Sequence, residues 1–239
     1  MDKPVTLVTG VSRGIGLAIA QHMTALGHHV VGVARTHPVD FEGTFVHVDF
    51  DDLAAAKATL QEIAADYKPL RVVNNAGAVA VAPIEEATPE QFELMVRVNL
   101  HAPLLVMQTM IPMMRAAKFG RIVNIGSRAA LGKPGRSIYG ATKGGLHAMT
   151  RTVALETAAD GITANLIAPG PIETDMIRQS CPPGSEARAR LTGDVPMARF
   201  GQPEEIAAAT AYFLSDAAGY TTGQALNVCG GMTVGAASL

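Results

Sequence analysis

Val5-Thr-Leu-Val-Thr-Gly-Val-Ser-Arg-Gly-Ile-Gly16 places an apolar run of strand length directly before a glycine-rich turn, and an amphipathic pattern follows over 15–26. The first four residues read as a buried strand, since aliphatic side chains run there with little polar interruption. Gly10, Gly14 and Gly16 let the chain turn tightly and bring backbone amides close to a ligand, and the helix start beyond them favours negative charge. Ser12, Arg13 and Ile15 fill the turn between the glycines. The bland alternative is an ordinary strand-to-helix turn, but three glycines in this context favour a pyrophosphate cradle. Their spacing is G-x-x-x-G-x-G, not the G-x-G-x-x-G of the general dinucleotide fingerprint.

Working outward, Val30-Val-Gly-Val33 predicts a second strand, and the alternation of strand and helix then repeats. Further strands are expected at 45–48, 71–73, 121–125, 163–167 and 225–228, with helices at 53–67, 89–98, 102–117, 139–159 and 203–214. This is the pattern of a parallel sheet. Thr88-Pro89-Glu90 supplies a cap and then a proline at the first helical position. Gly120 and Gly161 are expected to end helices in the left-handed conformation. The stretch 35–44 is too short and proline-broken for a crossover helix. From Thr174 to Asp194, Pro182-Pro-Gly184 and mixed polarity interrupt any pattern, which predicts a mobile substrate flap.

With 239 residues, 48% hydrophobic and 17% charged, the chain fits one compact α/β domain spanning 1–239 and argues against disorder. A net charge of -2 leaves no basic footprint for nucleic acid or an anionic membrane. Cys181 and Cys229 show no C-x-x-C spacing, so neither a disulfide framework nor a zinc site is expected, and a reducing cytoplasm is the default. No metal is required by any motif. Met1-Asp-Lys-Pro4 runs straight into the first strand without room for a signal peptide, and no apolar stretch is expected to reach membrane-spanning length. His28-His29 is expected as a solvated turn, and Met113-Met114 as core or a subunit contact.

A carboxylate at the end of the second strand would bond an adenosine ribose, yet Val33-Ala34-Arg35 puts a guanidinium there. Arg35, with Arg13 beside it, suits a 2'-phosphate, so NADP(H) is preferred over NAD(H). Further along, Tyr139 and Lys143 stand one helical turn apart, with Ser127 at the end of an apolar run. A nearby positive charge favours ionised phenol, and an ordinary tyrosine titrates near pH ~10, about three units above a working pH of 7. Lys143, a bound cationic ring and a serine donor together are expected to close that gap.

Thr9-Gly-x-x-x-Gly-x-Gly16, Asn74-Asn-Ala-Gly77, Asn99, Ser127, Tyr139-x-x-x-Lys143 and Pro169-Gly170, in that order, resemble the short-chain dehydrogenase/reductase family over nearly the whole chain. The resemblance implies a Rossmann-type doubly wound sheet of about seven parallel strands with helices on both faces. It makes Tyr139 the acid that protonates a carbonyl oxygen and Lys143 its partner and a ribose ligand. Ser127 would hold the substrate oxygen, and Asn99 would position a water linking Lys143 to solvent. Asp49 would contact adenine, and Asn75, Ala76 and Gly77 the adenosine ribose. Pro169, Gly170, Ile172 and Thr174 would meet the nicotinamide end, Ile172 through its backbone amide. Asn74, Asn75 and Ser127 also have the plainer reading of side chains that satisfy nearby backbone.

Within the family, the stretches 163–174, 196–205 and 223–228 are similar to the 3-oxoacyl-[acyl-carrier-protein] reductase branch. That likeness implies reduction of a 3-oxoacyl thioester, with an acyl carrier protein as candidate partner. Its docking surface is expected to be basic at two positions. Lys118 fits the first, whereas Asp160 has the opposite sign at the second, and Cys229 replaces the branch's usual acid. A broad-range ketone, alcohol or acyl-CoA dehydrogenase is therefore the alternative, and a non-catalytic dinucleotide sensor a third. The family also implies a homotetramer, with the helices at 102–117 and 139–159 packing across a dyad through small residues such as Ala141, Gly145, Ala148 and Ala154.

Overall fold

The computed structural model describes residues 3–234; residues 1–2 and 235–239, which the 1–239 domain span includes, lie outside the described residues. Strand β1 (Val5–Thr9) leads into α1 (Gly14–Ala25), β2 (His29–Ala34), β3 (Thr44–His47), α2 (Leu53–Tyr67) and β4 (Arg71–Asn74). Then come α3 (Pro89–Val96), α4 (Ala102–Ala117), β5 (Gly120–Ile125), α5 (Ser137–Thr157) and β6 (Ile162–Pro169). The chain continues through α6 (Asp175–Ser180), α7 (Glu186–Gly193), α8 (Pro203–Leu214) and β7 (Ala225–Val228). All seven strands form one parallel sheet in the order β3-β2-β1-β4-β5-β6-β7.

Alternation along each strand divides the core into two layers. Leu7, Val31, Val72 and Ile122 face α2, α4 and α5, where Leu60, Ile63, Val106 and Met110 pack against them. Their neighbours Val8, Val30, Val73 and Val123 face α1 and α8, against Ile19, Met23, Ile206 and Phe213. Each such side chain, fully buried, contributes roughly 1.5–3 kcal/mol. Every residue of β5 and β6 is buried, as strands covered on both faces must be. Met114 is core, and Met113 packs at its edge.

Several expectations need correction. Helix α4 ends on Lys118, itself left-handed at φ 51°, so Gly120 is free to begin β5, whereas Gly161 does end its helix at φ 74°. His28 and His29 are half-buried and bonded: His28 meets Thr6 at 2.8 Å, and His29 meets Thr44 at 3.1 Å and stacks on Tyr67. The segment 174–194 holds two short helices. Glu173 binds both Arg178 and Arg188, so ion pairs tie together a stretch whose sequence has no apolar period, and its reading as a substrate flap stands untouched by this. Residues Pro89–Ala117 form one continuous helical run of 29 residues, long and apolar enough by length and composition to cross a bilayer, with 44% of the apolar window buried inside the molecule. Ala154 is buried within the chain and Gly145 packs on Leu100, leaving Ala141 and Ala148 as the exposed small residues of α5.

The strand order reverses between β1 and β4, and there the carboxyl ends of two neighbouring strands diverge and open a crevice. Gly10 leaves β1 and Asn75 leaves β4 at that point, with Ser127 after β5 and Gly170 after β6.

Candidate active site

A cleft of about 490 Å³ runs along these strand ends. Its floor at one end is the glycine turn, where Gly10 and Gly14 adopt φ 75° and 60°. Side chains could not replace the glycines: a Cβ on Gly16 would stand 2.1 Å from the Gly10 carbonyl oxygen, and one on Gly10 would stand 2.8 Å from the Asn75 amide. The close approach is held by Asn75, whose Nδ2 donates to the carbonyls of Thr9 and Gly10 at 3.0 and 3.1 Å. Thr9 Oγ1 in turn accepts from the N–H groups of Asn75 and Ala76, both at 2.9 Å. Asn75 therefore does what its plainer reading says, satisfying backbone, while still lining the cleft. Ser12, Arg13, Ile15, Arg35, Asp49, Ala76 and Gly77 line the same end. Arg13 and Arg35 are exposed, and among the described residues neither has a carboxylate partner.

Ser127, Tyr139 and Lys143 line the other end, with Pro169, Gly170 and Ile172 opposite, whereas Thr174 lies against the glycine turn, where a Cβ on Gly14 would stand 3.3 Å from its methyl. Ile172 is buried beside Gly201 in a parallel bridge formed by the Pro171 carbonyl and the Glu173 N–H, which leaves the N–H of Ile172 itself outside the bridge. Helix α5 is fixed from below by a buried polar chain. Asn74 donates to Asn124 at 2.8 Å, Asn124 to Thr150 at 2.9 Å, and Thr150 to the Leu146 carbonyl at 2.7 Å. Asn74 thus links strands to helix instead of capping a turn. The Cys229 thiol is buried, lies 3.3 Å from Thr233 Oγ1, and packs where Gly170 has no side chain.

Lys143 is buried to 4% exposure, and its ammonium donates to the Ile125 carbonyl at 2.8 Å. Burial lowers its pKa to about 8. Its Nζ lies 5.9 Å from the centre of the Tyr139 ring. The expectation of a phenol already tuned toward neutral pH is corrected, because burial pushes Tyr139 above its ordinary value, against a hydrogen bond from Ser127 and the charge of Arg136. The Lys143 ammonium is turned to the Ile125 carbonyl, and burial of the phenol outweighs the groups that favour its ionisation. The Ser127 hydroxyl oxygen also accepts from the Ala129 N–H at 3.1 Å.

Asn99 is not a wall of the cleft. It is fully buried behind Gly77, where its side chain clasps both backbone groups of Ala78 at 2.8 and 2.9 Å and donates to Thr142 at 3.0 Å. Thr142 then donates to the carbonyl of Tyr139 at 2.9 Å, which ties Asn99 to the helix that carries the phenol. Four residues after Asn99 stands Pro103, which has no N–H, so the Asn99 carbonyl cannot close an α-helical bond. The chain passes this point as a π-turn over Arg97–His101, with Ala102 bonding back to Arg97. Sequence reading missed Pro103, Thr9 and Thr142. The proline carried a signal in its spacing from Asn99, and Thr9 stood at the head of the glycine motif without a role read for it; Thr142 carried no signal without the fold.

The chain is similar to known proteins along nearly its whole length. The family model described as enoyl-(acyl carrier protein) reductase matches residues 10–233. The 3-oxoacyl-[acyl-carrier-protein] reductase FabG of Pseudomonas aeruginosa is 38% identical over 95% of this chain and 96% of its own. A solved 3-oxoacyl (acyl-carrier-protein) reductase from Agrobacterium tumefaciens with NADP bound superposes with TM-score 0.88 at 29% identity, covering 95% of this chain and 93% of its own. A Beutenbergia cavernae protein assigned as an NAD(P)-dependent gluconate 5-dehydrogenase, also solved with NADP, reaches TM-score 0.92 at 32% identity with 97% of each chain covered. Strand order, glycine turn and full-length similarity together place this chain in the short-chain dehydrogenase/reductase family of oxidoreductases.

Proposed function

We propose that the protein is an NADP(H)-dependent reductase that converts a ketone to a secondary alcohol, with 3-oxoacyl thioesters the substrate class its curated relatives indicate. The observation that carries this reading is the convergence of Ser127, Tyr139 and Lys143 on one cleft with the glycine turn at its other end. The dinucleotide fits the residues present: Gly10, Gly14 and Gly16 make the close approach a pyrophosphate needs, and Arg13 and Arg35 supply cations where a ribose-binding carboxylate would otherwise stand. When bound, it supplies the hydride.

The chain's own residues supply the rest. Ser127 donates a hydrogen bond to the substrate oxygen, and Tyr139 delivers the proton there. Lys143, charged below its pKa of about 8, favours the phenolate left behind. Asn99 offers its carbonyl, barred from α-helical bonding by Pro103, to a water that returns the proton to Tyr139. The test is NADPH consumption across 3-oxoacyl thioesters on coenzyme A and on a carrier protein, beside small cyclic and aliphatic ketones. Absence of turnover with all of them, in a protein that binds NADPH, would count for the non-catalytic sensor.

One observation favours the second reading, a dehydrogenase of free small molecules that works without a carrier protein. Asp160 is not merely the wrong sign for an acidic carrier: it binds Lys118 at 2.7 Å and Arg115 at 3.2 Å, so half of the positive charge of the basic patch is cancelled from within. The gluconate 5-dehydrogenase assignment of the Beutenbergia protein points the same way. A homotetramer is proposed from the exposed face of α5, where Ala141, Ala148 and the 86%-exposed Leu155 leave apolar surface. A cytoplasmic location is proposed from the relatives and from the free thiols Cys181 and Cys229.

Cofactor choice has a separate test. Arg35→Ala is expected to weaken NADPH binding by about tenfold or more while changing NADH binding by less than about threefold, as loss of one charge-assisted phosphate contact requires. Equal losses, read by fluorescence titration, would argue against a phosphate clamp.

A further inference from the structure

The segment that joins Ser127 to Tyr139 carries three cations, Arg128, Lys133 and Arg136, and no acid. All three are half-buried, and all three line the catalytic end of the cleft. Arg128 sits in the short 3-10 turn Arg128–Leu131, and the other two lie in the loop before α5, a loop shaped by Gly132 at φ 106° and Gly135 at φ 69°. Elsewhere in this molecule Arg188 is matched by Glu173 and Arg71 by Asp216, and the buried Arg121 is satisfied by the carbonyls of Gly120, Gly161 and Ser215. Here no ion pair or side-chain hydrogen bond satisfies any of the three among the described residues, and the first turn of α5 contains no acidic residue. Asp194 and Cys181 lie near Lys133 without bonding it, and the two arginines act on it with like charge. Three unmatched positive charges, partly removed from water, repel one another and await an anion.

The dinucleotide phosphates do not account for them, because the glycine turn with Arg13 follows β1 and Arg35 follows β2, whereas this loop follows β5, on the far side of β4. Arg136 is close enough to act electrostatically on the Tyr139 phenol, which places the positive field at the reacting carbonyl. We infer that the ketone taken by this site bears its own carboxylate a few bonds from the carbonyl, and that Arg128, Lys133 and Arg136 receive it. The inference rests on the reductase reading and sets free oxo acids in place of the 3-oxoacyl thioesters that the curated relatives indicate. Arg128 and Arg136 can each meet a carboxylate with two parallel N–H bonds, which Lys133 cannot.

The experiment compares oxo acids of increasing length, acetoacetate, 4-oxopentanoate and 5-oxohexanoate, each with its methyl ester, and adds acetoacetyl-coenzyme A, whose anionic groups are phosphates far from the carbonyl. At least one acid is expected to exceed its ester in kcat/KM by about tenfold or more, and the double variant Lys133→Gln/Arg136→Gln is expected to cut that preference about tenfold. Binding of the matching hydroxy acids and esters to the NADP⁺-loaded protein gives the same comparison without turnover. Esters reduced and bound as well as acids would overturn the inference while leaving the reductase reading intact. A preference for the coenzyme A thioester that collapses in the double variant would overturn it too, by assigning the cations to phosphate. Failure to reduce any ketone or to bind either hydroxy form would overturn both readings.

Discussion

Tyr139→Phe is expected to lower kcat for NADPH-dependent ketone reduction by about 10³-fold while changing the NADPH dissociation constant by less than about threefold. The substitution removes one oxygen from a ring whose position is set by other groups: Thr142 bonds the Tyr139 carbonyl, and the Asn74-Asn124-Thr150 chain holds α5 on the sheet. The cleft should therefore keep its shape. What is lost is the proton donor. Because burial raises the Tyr139 pKa in this structure, the phenol is a weak acid until substrate and cofactor stand beside it. A positively charged neighbour that appears only as reaction proceeds stabilises the phenolate at that stage, which is where catalysis needs it. Stopped-flow absorbance for turnover and fluorescence titration for binding separate the two effects. Retention of most activity in the variant would remove Tyr139 from the proposed mechanism.

Much of this was legible in the sequence, for reasons that differ between elements. Helices at 53–67 and 203–214 were read to the residue because each has an apolar face and a clear start, as Pro203 illustrates at the first position of α8. The glycine turn was legible because only glycine survives at Gly16, where a Cβ would strike backbone. Helices α6 and α7 were illegible because what orders them is charge pairing to Glu173, which leaves no periodic trace. The π-turn at Asn99 was missed for the opposite reason. Its signal, Pro103, lay in plain view inside a run that reads as ordinary helix. The electrostatic state of Tyr139 could not be read at all, since spacing shows that Lys143 shares its face but not that the ammonium is bonded to Ile125. Linear order also hides which cations are matched: Lys118 reads as a docking residue until Asp160, far along the chain, is found beside it.

Lys143→Met should separate what the site does from what it costs the fold. Turnover is expected to fall by about 10²- to 10³-fold, since the charge that favours the Tyr139 phenolate is gone. Stability should respond in a pH-dependent way whose sign follows from linkage. In the unfolded chain Lys143 titrates near 10.5, and in the folded protein at about 8. Between these values the unfolded state holds a proton that the folded state has released, so folding stability rises with pH across that window. Below pH 8 both states are charged and the full penalty of burying the ammonium is present, on the order of 3 kcal/mol. Methionine removes the titration. It also leaves the Ile125 carbonyl without its donor, at a cost of about 1–3 kcal/mol that does not vary with pH. The native protein should therefore gain on the variant by roughly 5–10 °C in Tm as pH rises from 7.5 to 10.5. Other lysines and tyrosines titrate in both proteins and cancel in the difference. Thermal melts recorded in parallel across this range provide the check. A difference that stays constant with pH would mean that Lys143 keeps an ordinary pKa despite its burial, and the charge assigned to it below pH 8 would then persist well above it.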